Sequence, residues 1–137
     1  MADKSFELEV ITPDRSAVTG RMTALQVRAS DGRMGILANH APLIAILDVG
    51  RLFCRNDQGE ESWIATGEGF IEVQNNHVMV LTDFAEFPGD IDVDRAREAK
   101  ERAQERLAHR SDPTVDDARA EAALRRALVR LKLGGRG

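Results

Sequence analysis

The sequence of 137 residues holds one cysteine, Cys54, so no internal disulfide can form. That fits a reducing compartment. No apolar run approaches the roughly 18 residues that a membrane-spanning helix requires. The opening MADKSFELEV has no apolar secretory core and no Arg/Ser-rich amphipathic pattern, so neither a secretion signal nor a transit peptide is expected. Enzyme motifs are also missing: there is no G-x-S-x-G, Walker A or G-x-G-x-x-G sequence. The three histidines, His40, His77 and His109, are not spaced as a metal pair, and Cys54 has no cysteine partner. No catalytic set and no metal site are therefore expected. The GEGF run at Gly67 to Phe70 opens a strand rather than a helix, which makes a weak phosphate loop. His40, followed by Ala41-Pro42, reads as a turn residue.

What is present divides in two. Residues 1 to 88 carry 7 Lys/Arg against 13 Asp/Glu, a net of −6, whereas residues 89 to 137 carry 12 against 10, a net of +2. Within 119 to 136, Arg119, Arg125, Arg126, Arg130, Lys132 and Arg136 face only Glu121. A basic end on an acidic chain suggests an anionic partner, or else a solvated helix face. No nucleic acid is expected as partner.

The hydrophobic period changes at the same place. Phe6, Leu8 and Val10 alternate with Glu7 and Glu9, and Leu25 and Val27 with Gln26 and Arg28. Further apolar runs follow at Gly35 to Leu37, Leu52 to Cys54, Trp63 to Ala65, Phe70 to Val73 and Val78 to Leu81. Turn signals separate them at Pro13-Asp14, Asp31-Gly32, Asp57-Gln58-Gly59 and Asn75-Asn76. The last predicts a tight hairpin with both asparagines at positive φ. After Phe84 the pattern is helical. Ala96, Ala99, Ala103 and Leu107 predict one apolar stripe, and Ala120, Ala123, Leu124, Ala127, Leu128 and Leu131 a second. Between them Asp112 reads as an N-cap with Pro113 in the first turn, and Thr114 with Asp117 as a rival cap. The expected class is α+β: an antiparallel β-sandwich over residues 1–87, then an antiparallel two-helix hairpin over 88–137. Its stripes are mostly alanine, so the hairpin should be marginally held, as a switch requires.

The arginines of the helices carry the remaining signal. At about 100° per residue, Asp92, Arg95 and Arg102 fall on one side of the first stripe. Arg119, Arg126 and Arg130 cluster on one flank of the second. Either the flanks meet around a bound anion, or the arginines pair with Glu98, Glu101, Glu105 and Glu121 along the helices.

Four segments in order resemble the epsilon subunits of bacterial rotary ATP synthases. They are Val10-Ile11-Thr12-Pro13-Asp14, the run from Gly32 to Leu43 (GRMGILANHAPL), Gly69-Phe70-Ile71-Glu72-Val73, and Ile91-Asp92-Val93-Asp94-Arg95-Ala96. The resemblance covers essentially the whole chain. It implies a non-catalytic rotor subunit whose sandwich clamps the gamma shaft and rests on the c-subunit ring, at the cytoplasmic face of the bacterial inner membrane. The turn at Asp31 and Arg33 would approach the c ring, and His40 would lie near gamma. The helices would extend along the shaft towards the alpha and beta subunits and inhibit ATP hydrolysis. The last motif is similar to one that binds ATP in some bacterial members. Carried over, it implies a regulatory ATP site at Glu86, Asp92, Arg95, Ala96, Arg102, Arg126 and Arg130, with no cofactor required. Arg33 departs from the family, where an acid is common, and Glu68 interrupts a usual Gly-Gly-Phe. A free-standing nucleotide-sensing regulator is the alternative function.

Overall fold

Alternating patterns and turn residues set out the first part of the chain. In the computed structural model, residues 4–109 and 111–135 are described; Arg136, counted above in the basic tail, lies outside them. The chain divides into two units, Met1–Glu86 and Phe87–Gly137.

Among the described residues, the first unit is built from nine strands. β1 (Phe6–Ile11) pairs antiparallel with the first half of β2 (Ser16–Ala29) and parallel with β8 (His77–Thr82). β8 pairs with β7 (Gly69–Gln74), and β7 with β4 (Leu43–Leu47), which makes one layer of the sandwich. β2 passes into the second layer. Beyond a register shift between Met22 and Ala24, it pairs with β5 (Gly50–Asn56) on one side and β3 (Gly32–Ile36) on the other. β6 (Glu61–Thr66) and the two-residue β9 (Ala85–Glu86) complete that layer. Among the described residues, the antiparallel expectation has one exception, the β1–β8 ladder. It arises because the N-terminal strand lies between β2 and the last long strand.

Phe6, Leu8, Leu25, Ile36, Leu52, Ile64 and Ile71 are almost wholly withdrawn from water. Each contributes roughly 1.5–3 kcal/mol of hydrophobic stabilisation, against the entropy of ordering the chain. The Asn75-Asn76 turn has φ of 53° and 58°, the doubly left-handed conformation expected of it, and Gln74 faces His77 across it.

The second unit opens with a 3-10 turn at Pro88–Asp90. α1 (Val93–Ala108) is capped by Asp92, whose carboxylate accepts from the Arg95 backbone N–H at 3.0 Å. α2 (Asp117–Gly134) begins four residues later than expected. Its cap is Asp116, accepting from the Arg119 N–H at 3.1 Å. Asp112 instead closes the preceding turn, taking the Thr114 N–H at 2.9 Å and its hydroxyl at 2.8 Å. Those local bonds hold Pro113 and Thr114 outside the helix. A Cβ on Gly134 would meet Ile91 and Val93 at 2.9–3.2 Å, so the end of α2 lies beside the start of α1 and the helices run antiparallel. Ala96, Ala103, Ala120 and Ala127 are buried; of the larger residues described in this unit, only Ile91 and Leu133 are. Leu128, expected in the stripe, is 44% exposed, whereas Leu133, outside the expected stripe, is buried.

Candidate functional site

The β3–β4 connection carries the loop singled out above. Asn39 takes a positive φ of 63°, and its N–H donates to the Asn76 side-chain carbonyl at 2.7 Å. The loop is thereby tied to the β7–β8 turn. His40 is half-buried, with Nδ1 2.8 Å from the Ala41 carbonyl, which accounts for the ring locally. Asp31 is exposed in the β2–β3 turn, and Arg33 is exposed on β3. They belong to the second layer, whereas the residues after His40 enter the first.

That first layer presents a feature the sequence reading missed. Ile46 faces Phe70, Phe70 faces Leu81, and Leu81 faces Ile11, so four apolar side chains form one row across β4, β7, β8 and β1. It lies on the outer face: Ile46 is 68% and Phe70 42% exposed, and the neighbouring Ile44 is 71% exposed. The next row is Ile44, Glu72, Met79 and Glu9, which borders the apolar one with carboxylates. A shallow cavity of about 410 Å³ adjoins it, lined by Ile11, Pro13, Glu68, Phe70, Leu81 and Asp83. A contiguous apolar strip with a polar border is the anatomy of a protein-binding surface. In LIAIL every residue is apolar, so its sequence has no alternation to reveal which face is wet.

Glycines 67 and 69 serve packing. A Cβ on Gly67 would come within 2.9 Å of the Phe84 ring, and one on Gly69 would run into the Leu81 carbonyl. This accounts for the GEGF run without a phosphate. Cys54 is buried in β5, and burial pushes its thiol pKa up, so it is a poor nucleophile at neutral pH.

Of the seven residues of the expected nucleotide site, Glu86 lies on β9 in the first unit and six lie in the second. Asp92 is committed to capping α1, and Ala96 is buried with its N–H bonded to the Asp92 carbonyl. Arg95 and Arg102 are exposed on α1, and Arg126 and Arg130 are half-buried on α2. Arg102 also lines a cavity of about 400 Å³ with Arg106, His109 and Asp112 towards the interhelical turn. One ion pair along α1, Arg97–Asp94 at 3.0 Å, is of the local kind.

Residues 5–88 match the family model described as ATP synthase, Delta/Epsilon chain, beta-sandwich domain, and residues 90–135 match that of its long alpha-helix domain. A curated ATP synthase epsilon chain from Symbiobacterium thermophilum is 48% identical over 136 residues, covering 98% of this chain and 95% of the relative. Those of Moorella thermoacetica and Natranaerobius thermophilus are 44% and 42% identical, each over 96% of this chain and at least 93% of theirs. Among solved structures, a chain of the Euglena gracilis mitochondrial ATP synthase superposes with a TM-score of 0.82 at 22% identity. The match covers 96% of this chain and 82% of that one, and is a likeness of fold.

Proposed function

The chain belongs to the ATP synthase delta/epsilon chain family, and from that membership we propose that it is a non-catalytic subunit of the central stalk. It turns with the rotor and couples proton flow to ATP synthesis at the cytoplasmic face of the bacterial inner membrane. No helix among the described residues is long and apolar enough to cross the bilayer, so attachment goes through protein partners or the membrane surface.

The observation that carries this reading is the exposed row Ile46–Phe70–Leu81–Ile11. An apolar strip of this kind costs solubility unless a partner covers it, and the gamma shaft is the partner of matching role. His40, at the entry to β4, lies at the edge of that contact, and the Asp31–Arg33 turn meets the c ring. The exposed arginines of α2, Arg119 and Arg125, supply cations for acidic segments of the alpha and beta subunits when the helices extend, which restrains ATP hydrolysis. ATP is the regulatory ligand of the helical unit, held by Arg95, Arg102, Arg126 and Arg130.

The test is capture of the chain by its gamma subunit. Ile46→Asp combined with Phe70→Asp should abolish co-purification. Both side chains are already in water, so the thermal midpoint should hardly move. Undiminished capture by the double variant would remove this surface from the rotor contact.

A further inference from the structure

Residues 1–86 contain seven basic side chains, and four of them share one face. Arg33 on β3 is directly opposite Arg28 on β2. Gln26, two residues from Arg28, is opposite Phe53, which shares its side of β5 with Arg51 and Arg55. Arg28, Arg33, Arg51 and Arg55 therefore stand on the outer surface of the second layer, away from the apolar row of the first. Like charges directly opposite on paired strands are destabilising. Arg55 is answered by Glu61 at 3.0 Å. Among the described residues, no carboxylate lies at ion-pair distance from Arg28, Arg33 or Arg51.

Aromatic rings lie between these cations. Phe53 and Trp63 have centroids 5.0 Å apart, and the Arg51 guanidinium sits 5.0 Å from the Trp63 ring. The stem of Arg28 covers Gly50, where a Cβ would come within 2.9 Å of it. The cations are thus laid over a sheet face and retained there without internal neutralisation.

We propose that this face docks on an anionic bilayer, with Arg28 and Arg51 on lipid phosphates, Trp63 at headgroup depth and Arg33 left at the edge of the face for the c ring. Arginine matches phosphate as a planar fork, and tryptophan favours the membrane interface. A broad face formed by the middles of strands suits a flat anionic surface better than a peptide, which requires a free strand edge or a groove. The inference rests on the rotor reading for the nearby bilayer, but its surface is separate from the apolar row, so the two fail separately.

The whole chain should sediment with phosphatidylcholine vesicles that contain phosphatidylglycerol and not with phosphatidylcholine alone. Because the chain has one tryptophan, Trp63 emission reports this face directly and should shift to the blue on binding. Each cation near an anionic surface is worth about a factor of five, so Arg28→Gln and Arg51→Gln together should lower partitioning ~25-fold. Gamma capture should be unchanged in that variant. Equal binding to both vesicle types, unshifted Trp63 emission, or full binding by the double variant would overturn the proposal. Displacement by polyglutamate at matched ionic strength would give the face to an acidic protein segment instead.

Discussion

Gly69 shows how a single missing side chain can position a surface. It opens β7 opposite Leu47 and Thr82, and its α-hydrogen is all that separates its backbone from the Leu81 carbonyl. Leu81 and the following Phe70 both belong to the apolar row, so close approach here sets how the row lies. Gly69→Ala should destabilise the first unit by about 1–3 kcal/mol, the usual range for overpacking, because the obstruction is backbone and cannot rotate away. Gly67→Ala meets the Phe84 ring, which can shift, and should cost less. Urea denaturation of the two variants would measure both, and equal stability losses would contradict the distinction.

At the scale of elements, the start of α2 depends on which aspartate binds its first turn. Asp116 accepts from an amide of that turn, whereas Asp112 accepts from Thr114 outside the helix. Asp116→Ala should therefore destabilise α2 by about 1 kcal/mol, read as faster amide exchange in its first turn, while Asp112→Ala should leave that turn protected. If Asp112→Ala exposed it instead, the helix would begin at Pro113. Hydrogen bonds from Thr114 lower the Asp112 pKa, so its contribution is full above the ordinary carboxylate range and is lost as pH falls through the lowered value. The sequence suggested both Asp112 and Thr114 because each fits the capping pattern, and only the turn's own hydrogen bonds exclude them. The Asn75-Asn76 hairpin followed from its turn chemistry, two strands were legible from alternation, as in Phe6–Ile11, and others from short apolar runs between turn signals. β4 was not, since LIAIL lacks a period, and the apolar row was hidden with it. Nor could the arginine face be read, because Arg28, Arg33, Arg51 and Arg55 meet only through non-local register.

For the whole molecule, the contrast between the units decides where regulation can reside. The sandwich buries Phe, Leu, Ile and Val side chains throughout, whereas the helical unit buries mainly Ala96, Ala103, Ala120 and Ala127. An alanine methyl contributes only about 0.8 kcal/mol, so the paired helices should be held by a small margin that a bound ligand would shift. Arg95 and Arg102 stand on α1 and Arg126 and Arg130 on α2. A triphosphate held by both pairs would join the helices and offset the repulsion between them. Arginine suits this because it stays charged at any physiological pH. Binding to the closed form alone stabilises it by RT ln(1 + [L]/Kd), about 2.7 kcal/mol at a hundredfold excess over Kd. Falling ATP would then release the helices to extend and restrain hydrolysis. Calorimetric titration of the isolated chain with ATP should show saturable heat, and Arg126→Ala should weaken it at least roughly tenfold, the loss of one charge-assisted contact. Absence of heat at millimolar ATP, or equal binding by the variant, would return these arginines to ion pairs with the glutamates of the helices. Control of the hairpin would then rest with the protein partners alone.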